Sequence, residues 1–341
     1  MRKPATIRRL AASLFFSCCL LGAQQPPTPQ TSPQAPAQPQ PQTSSQARPQ
    51  TNKKAPQASD PAETIKVDVK LVNVFVTVTD AHGAPIGGLT RENFELSEDS
   101  QKQRIAVFDR ESALPLSIVL AVDTSLSTRH DLPLEQASAK RFAHDIMRPV
   151  DALSVLSFSE SVYQNPFTPD LKHIDSAIDH IRMGAATALF DAIYRASSTL
   201  DRRKGRKVIV LITDGGDTIS RIDYNEAVRS AVEAEAIVYS IIIVPIEASA
   251  GRETGGEHAL IQLSEDTGGK FYYADSTGQL DDAFKKISDE LRTQYLLAYY
   301  PATHASFSEF RRIEVKVAGV PGAESYRVRH RAGYYTLKQE F

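Results

Sequence analysis

An almost unbroken apolar run, Leu116-Ser117-Ile118-Val119-Leu120-Ala121-Val122, constrains this chain more than any other stretch. Strands this apolar are covered on both faces, as in parallel sheets wrapped by helices. Similar runs recur at 152–158, 207–213, 236–244 and 270–273. Between and after them, helical spacing of apolar residues predicts helices at about 131–147, 171–181, 188–200, 223–234, 257–266 and 279–292. In the last of these, Leu280, Phe284, Ile287 and Leu291 share one face, while Asp281, Asp282, Lys285 and Lys286 avoid it. Residues 115–292 are therefore expected to form an α/β domain with a doubly wound, mainly parallel sheet.

The flanking segments read as β structure. Ile65 to Thr79 alternates in polarity for most of its length, and Asp80 to Pro85 has turn chemistry. Phe94–Ser97 and Gln103–Phe108 add shorter strands, so 64–112 is expected to be a small β unit. Beyond residue 292, β character returns at 295–300, 312–317 and 326–330. Sheets of two or three strands are marginal alone. The expectation is that 64–112 and 293–337 pack together as one discontinuous β-sandwich carrying the α/β domain as an insertion. Two separate sheets docked on the α/β domain fit the same sequence. Arg327, Arg329 and Arg331 alternate along the last segment, which suggests a solvated sheet face, with an anion site as the alternative.

The N-terminus has the form of an export signal at 1–23. Arg2, Lys3, Arg8 and Arg9 precede an apolar stretch from Leu10 to Leu21, and Gly22-Ala23 offers small residues for cleavage. At about a dozen residues the stretch is short for a spanning helix, so no transmembrane helix is expected in the mature chain. Both cysteines, Cys18 and Cys19, lie inside it, so cleavage leaves a chain with no thiol for disulfides or metal. A lipoprotein signal using one of them is a secondary reading. Residues 24–63 hold ten of the twenty prolines among Gln, Ser, Thr and Ala, a composition expected to stay an extended linker.

Charge excludes one class of partner. The chain has 39 basic and 41 acidic residues, and four basic but no acidic ones fall in 1–23, so the remainder carries 35 against 41. A surface of that balance does not displace phosphate counterions, and no nucleic-acid partner is expected. No Walker A loop, dinucleotide glycine fingerprint, His-Glu-x-x-His or Gly-x-Ser-x-Gly occurs, and the eight histidines are dispersed.

What remains is a set of oxygen ligands. The first apolar run leads into Asp123-Thr-Ser125-Leu-Ser127, and the run Val208–Ile212 leads into Asp214-Gly215-Gly216. Both carboxylates fall where a buried parallel strand ends, the edge at which open α/β sheets bind ligands. Thr187 stands just before a predicted helix. Taken singly, each cluster is explained by helix capping or a turn. Jointly they offer two carboxylates and three hydroxyls, hard oxygens suited to Mg²⁺ or Mn²⁺. Asp191 reads either as support for Thr187 or as a helix-dipole residue, and Asp217 as solvated loop. The loop from Pro245 to Glu257 should emerge at the same edge.

This pattern resembles the metal-ion-dependent adhesion site of von Willebrand factor type A domains, over about residues 115–292. The resemblance implies a Rossmann-like fold, direct coordination by Ser125 and Ser127, and coordination by Thr187 directly or through water. It implies that Asp123 and Asp214 act largely through bridging waters. The whole chain is also similar to the VWFA-related family of secreted acidobacterial proteins. That likeness rests on the leading Val-rich β segment, on Gly88-Leu89-Thr-Arg-Glu-Asn-Phe94 and on Gly333-Tyr334-Tyr335. That second likeness implies no activity; the adhesion-site resemblance, with the export signal, implies a non-enzymatic, exported, periplasmic or extracellular module that binds an Asp or Glu of a protein partner through the metal. A metal-independent envelope scaffold or assembly subunit and a metal-assisted hydrolase are the alternatives.

Overall fold

A computed structural model describes residues 71–110, 113–125, 132–244, 254–302 and 309–336. The export-signal and linker readings, and most of the 245–257 loop, therefore lie outside the described residues.

Six strands make the central sheet: β5 (Leu116–Asp123), β6 (Ala152–Phe158), β7 (Val162–Gln164), β8 (Arg206–Thr213), β9 (Ala236–Ile243) and β10 (Lys270–Ala274), in the order β10-β9-β8-β5-β6-β7. All pairings are parallel except that of β7, which folds back on β6. The strand order reverses between β5 and β8, the place where such sheets open a crevice at their carboxyl edge. Six helices cover the two faces: α1 (Leu132–Ile146), α2 (Leu171–Asp179), α3 (Leu189–Asp201), α4 (Tyr224–Glu233), α5 (Thr254–Asp266) and α6 (Thr277–Arg292). Alternate β5 side chains serve opposite layers. Ile118, Leu120 and Val122 pack with Phe142 of α1 and Phe284 of α6, while Val119 and Ala121 pack with Leu189, Ala192 and Ile193 of α3.

Eight strands form two further sheets. β1 (Val72–Thr79), β2 (Phe94–Glu98), β3 (Gln101–Gln103) and β4 (Ile105–Arg110) come from before the α/β domain. β11 (Tyr295–Tyr299), β12 (Phe310–Val317), β13 (Arg327–Arg329) and β14 (Gly333–Tyr335) come from after it. One sheet runs β13-β1-β11-β4, the other β14-β12-β2-β3, so each interleaves strands from the two ends. Their facing sides share one core containing Val74, Val76, Leu96, Tyr295, Leu297 and Val315.

The short motifs at the two ends have structural work in this sandwich. Leu89 and Phe94 are core residues, and the Tyr295 hydroxyl donates to Ile86 O while accepting from Leu89 N. Tyr334 donates to the buried Glu98 carboxylate at 2.9 Å, as Tyr299 does at 2.6 Å. Tyr335 lies under the Arg229 guanidinium of α4.

Arg327, Arg329 and Arg331 do not form one solvated face. Arg327 is exposed, but Arg329 pairs with buried Glu290 of α6 at 2.7 Å and donates to Gly269 O. Arg331, 8% exposed, donates to Asn73 O at 2.6 Å and lies 3.5 Å from Glu235. Ala332 N also donates to Asp266 O. These two arginines join the sandwich to the α/β domain, a role that needs both partners in place and so is invisible in a linear pattern. Among the described residues no helix is long and apolar enough to cross a membrane.

Candidate metal centre

β5 and β8 are neighbours in register, with Val122 opposite Ile212, so the residues that follow them emerge side by side. Asp123 is 1% exposed and fully tied. Its Oδ1 accepts from Ser125 N at 2.9 Å, and its Oδ2 accepts from the Thr213 hydroxyl at 2.6 Å. Thr213, which the sequence pattern did not single out, is thus the link between the two strand ends. It also accepts from Gly215 N at 3.1 Å, which turns the chain sharply after Asp214.

Three loops converge here. Thr124 O in the first loop accepts from Gly184 N, and Ala188 N donates to Ser159 O, which fixes the segment bearing Thr187 against the ends of β5 and β6. Thr187 N donates to the Thr218 hydroxyl, and Thr187 O accepts from Thr218 N and Ile219 N. The second loop is in this way bound to the third, and the Thr187 hydroxyl takes part in none of these bonds. Ser125 is 3% and Thr187 5% exposed, while Asp214 is half-buried. Asp123, Ser125, Thr187 and Asp214 therefore occupy one loop cluster at the carboxyl edge; Ser127 lies outside the described residues.

Asp217 is not solvated loop. Its Oδ1 accepts from Leu189 N and Phe190 N and from the Ser220 hydroxyl, capping α3 from a different loop. Asp191 faces the other way and accepts from Arg221 N and Ile222 N. The two aspartates fasten the third loop to the start of α3, immediately after Thr187. Non-local caps of this kind escape any rule that looks only at neighbours in sequence.

The remaining wall is α5. It begins at Thr254, three residues before the expected start, and runs through Gly255-Gly256. A Cβ on Gly256 would collide with Gly215 O, and Gly215 itself has φ +94°. Two glycines thus let the N-terminus of α5 approach the loop carrying Asp214, where the positive end of the helix dipole favours a carboxylate.

The electrostatics bear on whether a cation fits. Burial pushes the Asp123 carboxyl up to about 6; hydrogen bonds from Thr213 and Ser125 oppose this, and the negative charge of Asp214 adds to the rise. A carboxylate held in such surroundings gains from a positive charge nearby. Among the described residues no three His, Cys, Asp or Glu side chains come together as metal ligands. Any cation here would be held by two carboxylates and by neutral hydroxyls, a donor set that fits a small hard divalent ion and excludes a thiolate or imidazole site.

Residues 118–216 match the family model described as von Willebrand factor type A domain. No match was found among curated proteins. Among solved structures, the chain is similar to a von Willebrand factor type A protein from Catenulispora acidiphila (11% identity, 78% of this chain and 74% of that one, TM-score 0.46). It is also similar to the conserved hypothetical protein BatB from Bacteroides thetaiotaomicron (17%, 52% and 100%, TM-score 0.43). A third is the vWF domain of the type V pili tip protein Mfa5 from Porphyromonas gingivalis (13%, 52% and 95%, TM-score 0.44). These structural likenesses are distant, and the assignment stands on the family match together with the strand order and loop cluster described above. The α/β part of this chain has the fold of the von Willebrand factor type A domain, the family whose model its residues 118–216 match.

Proposed function

We propose that this protein is an exported, Mg²⁺-dependent binding module that recognises an acidic residue on a protein partner and catalyses no reaction. The observation that carries this reading is the buried carboxyl of Asp123 beside Asp214, with Ser125 and Thr187 in the same loop cluster at the open edge of the sheet. Asp123, Ser125, Ser127, Thr187 and Asp214 would hold the cation, Mn²⁺ being an acceptable substitute. When bound, such an ion supplies an electropositive point with an exchangeable position suited to a carboxylate.

The chain's own residues do the positioning. Thr213 and Ser125 N orient Asp123, the α5 N-terminus backs the Asp214 loop, and Asp217 and Thr218 hold Thr187 in place. Export rests on the charged and apolar pattern of 1–23, and the linker at 24–63 would give the folded part reach. Non-enzymatic action is favoured because the eight histidines are dispersed along the sequence and no catalytic motif accompanies them.

The test is a pull-down from the envelope fraction of the source cell, with Mg²⁺ and with chelator, using wild type and Asp123→Ala. Capture that requires both Mg²⁺ and Asp123 is expected, with far-ultraviolet circular dichroism unchanged. Equal capture in all four conditions would instead favour a metal-independent scaffold.

A further inference from the structure

The rim of the candidate metal centre carries two features that constrain what can approach it. The first is Ile219. It is one of the large apolar side chains exposed among the described residues, at 45%, and its backbone N donates to Thr187 O. Its loop is not slack. Thr218 is bonded to Thr187 from both its backbone and its hydroxyl, Asp217 caps α3, and Asp191 holds Arg221 N and Ile222 N. An isoleucine displayed on a loop fastened at both ends is already fixed for contact, so little ordering entropy opposes its burial by a partner. A second exposed apolar side chain, Leu134 at 50%, stands in the first turn of α1, which starts at this same edge.

The second feature is Glu160, exposed on the loop after β6. Its Oε2 accepts from Ala185 N at 2.8 Å, and that bond holds its carboxyl below the usual range. Gly184 is needed beside it, since a Cβ there would strike Ser159 and the Glu160 carboxylate. Gly184 N in turn donates to Thr124 O, next to Asp123. Glu160 is therefore a fixed negative charge on the rim, on the loop that also anchors the segment bearing Thr187.

We infer that the partner segment is not simply acidic: it presents an Asp or Glu with a large apolar residue and a Lys or Arg within a few positions of it. The inference rests on the proposed metal-dependent reading. The acidic side chain alone would be repelled by Glu160, and a basic neighbour in the ligand turns that repulsion into attraction. The apolar neighbour covers Ile219 and removes water from around the carboxylate, as hydrophobic rims do at energetic centres of interfaces.

The experiment is selection from a random peptide display library on immobilised full-length protein, in Mg²⁺ and in chelator, repeated with Ile219→Ser and Glu160→Gln. The glutamine keeps an acceptor for Ala185 N and removes only the charge. Mg²⁺-induced thermal stabilisation of each variant, read in parallel, confirms that the fold and cation binding are retained. Wild type should enrich, in Mg²⁺ only, peptides combining an acid, a large apolar residue and a cation. Ile219→Ser should lose the apolar preference and bind a synthetic wild-type-selected peptide about tenfold more weakly. Glu160→Gln should lose the basic preference alone. Mg²⁺-dependent enrichment of acids with no flanking bias, or a bias untouched by either variant, would overturn the inference and leave the metal-dependent function standing. Absence of any Mg²⁺-dependent enrichment would overturn both.

Discussion

Replacing Asp123 by Asn should make the metal-free protein more stable, although it removes a proposed metal-binding group. Burial and Asp214 lift the carboxyl from 3.8 to about 6. Two units at about 1.4 kcal/mol each mean that ionised Asp123 costs the fold roughly 3 kcal/mol at neutral pH. The amide avoids that cost but places an N–H₂ where Oδ2 accepts from Thr213, which returns about 1 kcal/mol. A net gain of about 2 kcal/mol raises the melting temperature by roughly 5 °C in a domain of this size. The sign fixes the pH window. A carboxyl raised in the folded state contributes stability that is complete below its unfolded value near 4 and is lost as pH rises through about 6. In chelator, therefore, thermal unfolding should separate variant from wild type at pH 8, bring them together near pH 5, and leave wild type ahead by about 1 kcal/mol below pH 4. Saturating Mg²⁺ should reverse the order at pH 8, because ligand at a hundred times Kd adds about 2.7 kcal/mol to wild type alone. An Asn variant less stable than wild type in chelator at pH 8 would refute the reasoning.

Three further substitutions probe how the site is held. Gly256→Ala should force α5 away from Gly215 and reduce Mg²⁺-induced thermal stabilisation more than it reduces stability in chelator, as differential scanning fluorimetry would show. Asp217→Ala removes the cap on α3 and should cost about 1 kcal/mol in urea unfolding, with weaker Mg²⁺ binding because Thr187 sits one residue before that helix's N-cap Ala188. Arg331→Met leaves Asn73 O and Glu235 without their partner and should cost about 2 kcal/mol. Calorimetry on Arg331→Met should also show sandwich and α/β domain losing their common unfolding transition.

Much of the α/β domain was legible because its strands are buried on both faces. The segments 152–158 and 207–213 are mostly apolar, and α6 shows a clean 3.6-residue stripe, so burial wrote the pattern directly. The three-residue strands β7 and β14 left no period to read; pairing with β6 and β12 makes them strands. α5 starts early for the same kind of reason, since Gly255-Gly256 looks like a break until Gly215 is placed against it. At the candidate site, Asp123, Ser125 and Asp214 are legible because they follow buried strands, and Thr187 because it precedes a predicted helix. Thr213, Asp217 and Thr218 are not, because each acts on a residue 28 to 90 positions away. The arginine pair 329 and 331 misled for the converse reason: alternation along a strand is the signature of a solvated face, yet Glu290 and Asn73 meet them from other elements.

The most direct measurement is an anomalous difference map from crystals of the protein grown with Mn²⁺. One peak is expected, at the carboxyl edge between β5 and β8, bound directly by the Ser125 and Ser127 hydroxyls and by Thr187 directly or through water, with Asp123 and Asp214 close by. A map with no peak there, or with the manganese held by other side chains, would contradict the claim that these oxygens make a single cation site.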